Sequence, residues 1–226
     1  MSWPMSHLYI AQNILSTGKI NVKNISQYYL GTIAPDAIHF RDNYDRSQKR
    51  VSHLYEKIDK SNIDNYVKEW ELNTINFFNN NCTKDNFDFI LGYCLHLMAD
   101  IYMYKHVWKP FIELFKDRND INYHDIYNKE NLAVDFDIFK NQDYKQKLFM
   151  VIKESQEIDF CGLITKNDLN GIKNNILNVQ YNEKIFRNSK ENKYVLLEKS
   201  MEINDKIIEY TKEQFIDRVE KSKTST

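Results

Sequence analysis

The chain is poor in the residues that tight turns and covalent staples need. Its 226 residues include five glycines and three prolines, too few for a β-rich fold with many close turns. The three cysteines, Cys82, Cys94 and Cys161, are odd in number and at no metal-ligand spacing, which argues against a disulfide scaffold and for reduced thiols. Net charge is nearly absent: 31 basic residues face 32 acidic ones, for a formal charge of −1. That gives no strong nucleic-acid signal and no general attraction to an anionic membrane. No uncharged apolar run reaches transmembrane length. The start from Met1 to His7 has neither a basic residue nor the apolar run of a secretory signal, so the expected location is cytoplasmic. What is present is a core-forming share of hydrophobic residues, 42%, in a length that suits one sizeable domain or two small ones.

Leu8, Ala11, Ile14 and Leu15 give Met5 to Ser16 a helical stripe that Gly18 ends. A second helix is expected from Ile25 to Ala34, closed by Pro35 and Asp36. The polar segment Asp36 to Lys49 has no period and reads as an ordered loop, and Val51 onward reads as helix or turn. Asn62 to Asn79 is amphipathic through Ile63, Tyr66, Val67, Trp70, Ile75, Phe77 and Phe78. Thr83, as N-cap, leads into the most apolar stretch, Phe89 to Trp108, which meets no proline before Pro110 and reads as one long buried helix. Beyond it come a short helical piece at Phe111 to Phe115 and a polar stretch from Lys116 to Asn131. A helix from Phe139 to Ile152, a weak segment around Gly162 and Gly171, and an amphipathic helix from Tyr194 to about Arg218 follow. There is no internal repeat. The expectation is an all-α, single-domain helical bundle over residues 1–219 around a long central buried helix, with a frayed tail at 220–226.

Into that central helix the sequence places His96, Asp100 and His106. His96 and Asp100 are four apart and share a face. An imidazole beside a carboxylate on a buried face is what a divalent metal needs from one helix; a plain buried hydrogen bond between them is the bland alternative. His106 lies a further ~9 Å along the axis and about 120° round, badly placed to share a metal with His96 on a straight helix; a bend, or a second metal nearby, would accommodate it. All six histidines, His7, His39, His53, His96, His106 and His124, fall in the first 124 residues. Asp36 and Asp100 sit among apolar neighbours, where a lone carboxylate is costly to bury and a metal removes that cost.

The order His7, Asp36, Ser52, His53, then Leu91, Gly92, His96, Asp100 and His106 resembles the zinc-dependent phospholipase C family, related in fold to the S1/P1-type zinc nucleases. The block from Phe89 to His106 is the specific part; the segments Met1 to Ala11 and Leu30 to Asp42 are similar to a bacterial branch. The likeness runs over roughly residues 1–130. It implies a phospholipase C/P1 nuclease-like bundle holding zinc, one to three ions, or another divalent metal. By position, His53, His96 and Asp36 would hold one ion, with Asp100 as ligand or bridge. His7 and Asp100 would hold another, and His106 the last with a later His-x-x-x-Glu pair. Two features depart from the pattern. The secreted enzymes use a free N-terminal tryptophan as a ligand, whereas Trp3 is internal, and no His-x-x-x-Glu follows His106. His124 with Asn128 is the nearest match, with Asp125 and Glu130 as substitutes; His39 is left as an extra ligand or a donor to one.

Metal chemistry of this kind lowers the pKa of a bound water to about 7 and stabilises attacking and leaving oxygens. Asp36 would then be the catalytic residue that orients the water while holding metal. The implied activity is hydrolysis of a phosphate ester, a phosphodiester or phosphomonoester, with phospholipid and soluble substrates both open. The alternative is a non-catalytic or regulatory helical protein with a structural or reduced metal site. Arg41 and Arg46 read as surface residues, phosphate contact being their other reading.

Overall fold

The structure is a computed structural model and describes residues 3–118, 120–140, 145–181 and 188–219, with the backbone alone at 145 and 146. Among the described residues there is no strand, only an isolated bridge between Phe160 and Ile164. No helix among them is long and apolar enough to cross a membrane. The tail expected at 220–226 lies outside the described residues.

The other helices are arranged around α5, Phe87–Met103, in which every residue from Phe89 to Ile101 is buried. Its near-continuous apolar sequence leaves no face for water. The long helix expected up to Pro110 is divided: a π-helical turn, Tyr104–Trp108, follows α5 and leads into the short α6, Lys109–Glu113. Pro110 is tolerated because it falls in the first turn of α6, where its missing N–H would have no partner. The N-cap is Asn86 rather than Thr83. Thr83 instead closes the preceding turn: Asn86 Oδ1 accepts from the Thr83 N–H at 2.8 Å, and Thr83 Oγ1 accepts from the Asn86 N–H at 3.3 Å.

Helix α1, Pro4–Ser16, and α2, Ile25–Ile33, precede it in the chain, and α2 makes the most extensive contact with α5. The two backbones touch. A methyl group on Gly31 would lie 2.0 Å from the Phe89 carbonyl oxygen, and one on Gly92 would lie 2.1 Å from that of Tyr28. No side chain fits at either position, so these glycines set the helix separation. The segment expected to be a loop after Pro35 is mostly helical: a 3₁₀ turn, Ala34–Phe40, and then α3, Arg46–Ser52. Pro35 suits the first turn of the former. Asp45 caps the latter, accepting the Ser47 N–H at 2.6 Å while Gln48 Oε1 takes the Asp45 N–H at 3.2 Å, a capping box that outweighs the lack of periodicity.

Helix α4, Ile63–Asn81, packs on α5. Helix α7, Tyr123–Lys140, begins inside the stretch expected to be polar coil. Its buried residues Tyr127, Val134, Phe136 and Phe139 are spread around the helix, so no periodic stripe marks it. Helices α8, Lys145–Glu154, α9, Lys166–Asn174, and α10, Leu197–Thr211, complete the bundle, the last two running on into π-turns at Asn175–Gln180 and Lys212–Ile216. Arg41 ties the 3₁₀ segment to α9: its Nη2 reaches Asp168 Oδ2 at 2.6 Å and the Leu163 carbonyl at 2.9 Å.

The glycine contact gives a direct test. Gly92→Ala places a methyl against a carbonyl that cannot yield without moving α2, so a loss of about 1–3 kcal/mol in urea unfolding is expected. Unchanged stability in that variant would show that the helices do not meet through Gly92.

Candidate metal centre

Three elements deliver the cluster. Asp36 sits in the 3₁₀ turn directly after α2, His53 caps the end of α3, and α5 carries His96 and Asp100 one turn apart. The α3 end is fixed from several sides. The His53 carbonyl accepts the Trp70 indole N–H at 2.6 Å, and the Ser52 carbonyl accepts the Tyr93 hydroxyl at 2.5 Å. Leu54 follows in the left-handed region at φ 61°, an unfavourable conformation for a branched residue that only surrounding contacts sustain.

The two imidazoles are oriented alike. His96 Nδ1 lies 2.9 Å from the Thr32 carbonyl oxygen, which only accepts, so Nδ1 carries the proton and Nε2 the lone pair. His53 Nδ1 lies 2.9 Å from Ser52 Oγ, whose own proton can go to the Pro35 or Lys49 carbonyl, each at 3.2 Å. Both Nε2 atoms are buried with no hydrogen-bond partner, an arrangement that costs free energy unless something fills it. They face carboxylates. Asp36 Oδ1 is 3.3 Å from His53 Nε2, and Asp36 Oδ2 is 3.9 Å from His96 Nε2. Asp100 Oδ2 is 3.6 Å from His53 Nε2 and 3.9 Å from His96 Nε2. Asp36, His53 and His96 form one group of mutually close donors, and tetrahedral zinc with bonds of ~2.0–2.2 Å keeps its donors roughly 3.4 Å apart, so these three suit the ion, with Asp100 Oδ2 beside both imidazoles.

Asp100 also faces the other way: its Oδ1 is 3.6 Å from His7 Nε2. The His7 ring, from α1, stacks on His96 with centroids 3.7 Å apart. His7, His96 and Asp100 form a second group of mutually close donors. Because His96 has spent Nδ1 on Thr32, its single lone pair serves one position only. Burial first, then neighbouring charge, holds the imidazoles unprotonated: His53 is pushed down to about 3 by burial and the Lys49 ammonium, and His96 is lowered chiefly by burial. Burial works against charge on Asp36, but Lys49, with His39 and His53 behind it, holds its carboxyl well below the usual range. Lys49 Nζ lies 2.9 Å from Asp36 Oδ1. Burial likewise opposes its charge, and the carboxylates of Asp36 and Asp100 more than offset that.

Asp36 connects the cluster to a cavity of about 710 Å³, which His39, Lys49, Tyr55, Trp108 and His124 also help to line. Asp36 is the carboxylate that opens to it, at 17% exposure against 0% for Asp100. A model of the zinc dependent phospholipase C family matches residues 6–221. The chain belongs to this family. Membership spans nearly the whole chain, including the helices after residue 130 in which no likeness was expected from the sequence. Curated proteins and solved structures give no match.

Of the other residues named for the zinc-dependent phospholipase C pattern, His39 adjoins Asp36, whereas His106, Asp125 and Glu130 serve other places. His106 is exposed on the π-turn, its ring 4.3 Å from that of Tyr102 and beside a separate groove. The rise along α5 carries it away from His96, and the π-turn does not bring it back. His124 is exposed at the cavity rim, 5.1 Å from the Trp108 ring. Asp125 is exposed and bonded to Asn122 at 2.6 Å. Glu130 anchors the chain before α10 by accepting the N–H groups of Tyr194 and Val195 at 2.8 and 2.7 Å. His39 stands 3.6 Å from Asp36 Oδ1 and 3.4 Å from Lys49 Nζ, and Arg46 lines the cavity.

Two residues with site roles carried no recognised signal. Lys49 is one turn before His53, a spacing that becomes informative once α3 is known to be a helix. Asp135, buried on α7, accepts the Ser6 N–H at 3.0 Å and bonds the Tyr181 hydroxyl. It thereby satisfies an amide in the first turn of α1, where Trp3 supplies no side-chain cap, and so fixes the turn that carries His7.

Burial pushes the Asp135 carboxyl up to about 7, against the pull of its hydrogen bonds. Because the folded pKa is raised, the contribution to stability is complete below the unfolded value of about 4 and is lost as pH climbs through 7. Relative to native protein, Asp135→Asn should therefore gain stability between those limits, by up to about 1.4 kcal/mol per pH unit. Urea unfolding at about pH 5 and about pH 8 reads this out; a difference that does not change with pH would contradict it.

Proposed function

We propose that the protein is a zinc-dependent phosphoester hydrolase of the phospholipase C type, acting on a phosphodiester or phosphomonoester. The observation that carries this reading is the meeting of two partnerless imidazole Nε2 atoms with two carboxylates beside a cavity to which Asp36 opens. His53, His96, Asp36 and Asp100 would hold one zinc ion. His7 and the far oxygen of Asp100 would hold a second, and among the described residues no group for a third is gathered. Zinc bound there supplies a Lewis acid and a water ionising near neutral pH.

The chain's own groups do the rest. Asp36 accepts a proton from the attacking water at its carboxylate and aims the oxygen at phosphorus. Lys49 keeps Asp36 ionised and, with two of its three N–H directions facing Asp36 and His39, offers the remaining one to a phosphate oxygen. The aromatic walls exclude bulk water and strengthen both interactions. A phospholipid and a soluble ester both suit this chemistry.

A second reading has one observation in its favour. Four protein donors around one ion is the closed pattern of a structural zinc site, which would make the protein non-catalytic. Metal content and turnover separate the two. Asp100→Asn should lose bound zinc and lower hydrolysis of bis(p-nitrophenyl) phosphate by about a hundredfold or more, since one charge facing both positions disappears. His7→Ala should lower a zinc content above one per chain to about one. Native protein holding a single, non-exchanging zinc with no hydrolysis would favour the structural reading, and Asp100→Asn with unchanged zinc and rate would refute the centre itself.

A further inference from the structure

The cavity beyond the metal cluster has a marked charge and a particular aromatic arrangement. Arg46, Lys49 and Lys60 line it, and among the described residues Asp36, already paired with Lys49, is the one lining carboxylate. Lys60 Nζ lies 5.0 Å from the Tyr55 ring centroid and 5.5 Å from that of Tyr66. These two tyrosines belong to a network with Trp70 and Tyr104, with ring centroids 4.7 to 6.3 Å apart. Such a cluster of π-faces is the environment in which proteins hold quaternary ammonium groups. Here the chain's own ammonium already occupies it. Arg50 and Lys109 stand close enough to Lys60 to depress its ammonium further, after partial burial, so the mouth is basic on several sides.

The distance to the cluster is short. The Tyr55 ring is 6.1 Å from the His53 ring and 5.0 Å from Lys60 Nζ, so that ammonium lies within about 11 Å of the imidazole. A phosphate held at Asp36 and Lys49 would therefore have the other end of a small ester near Lys60. A trimethylammonium there must displace Lys60 from the tyrosines and meet its like charge. A carboxylate or second phosphate meets the Lys60 ammonium and displaces nothing.

Resting on the phosphoester reading above, we propose that the cavity selects phosphate esters whose far end is anionic, and that Lys60, seated on Tyr55 and Tyr66, is the specificity-determining residue that excludes quaternary ammonium head groups. Lys60 does not touch the reacting atoms. Its effect is on which ester binds.

The test uses three non-hydrolysable alkylphosphonates on a common hexyl chain ending in carboxylate, methyl or trimethylammonium. Their binding is measured by calorimetry to the full chain, with zinc and after chelation, and to Lys60→Gln. Native protein should prefer the carboxylate end over the trimethylammonium end by about tenfold, with methyl between, and the order should persist without zinc. In Lys60→Gln, an exposed position where the fold tolerates change, the spread should shrink to about threefold or less. Equal or reversed affinities in native protein would overturn the proposal, as would a spread unchanged in Lys60→Gln. Zinc retained with a flat series would remove the selectivity alone. A chain that takes up no zinc yet keeps the order would remove the hydrolase reading and leave the anion-selective cavity standing.

Discussion

The direct backbone contact between α2 and α5 is the constraint on which the rest depends. Gly31 and Gly92 bring the two helices so close that a single methyl group would not fit. That closeness lets the Thr32 carbonyl reach His96 Nδ1 at 2.9 Å, which fixes the tautomer and turns Nε2 inward. It also sets the 3₁₀ turn after α2 across from α5, so that Asp36 meets His96. A side chain at either glycine would widen the crossing, free the His96 ring and move one carboxylate out of reach. The fold and the metal chemistry therefore share one contact.

The electrostatics follow from that geometry. Two carboxylates and three imidazoles in or beside an apolar core are expensive to desolvate. In the protein as described, Lys49 offsets part of that cost through Asp36, and the neutral imidazoles add no positive charge. His53 Nε2 and His96 Nε2 have no hydrogen-bond partner. A dication would answer both needs, the charge and the unpaired nitrogens.

Much of this was legible in the sequence because it is local. The buried central helix is written in an unbroken apolar run, and the His96 and Asp100 pairing in a spacing of four. The confinement of histidine to the first 124 residues marked where to look. What was hidden is long-range or depends on a boundary. Asp135 meets the start of α1 from 129 residues away in the chain, and no pattern announces that. Lys49 was obscured because the segment around it lacks hydrophobic period; the capping box at Asp45 and Gln48 was the signal that would have revealed α3. His106 belongs to the family's order in sequence, yet helical rise takes it to the surface. Chain order alone does not convey rotation about an axis.

The central claim is that His53, His96, Asp36 and Asp100 enclose a zinc ion, and the zinc K-edge absorption spectrum of the loaded protein tests it most directly. The account predicts a shell of nitrogen and oxygen at ~2.0–2.2 Å, with the outer-shell scattering of about two imidazoles per zinc. A sulfur shell near ~2.3 Å, which would place the metal on cysteine, or an all-oxygen shell without imidazole, would contradict it.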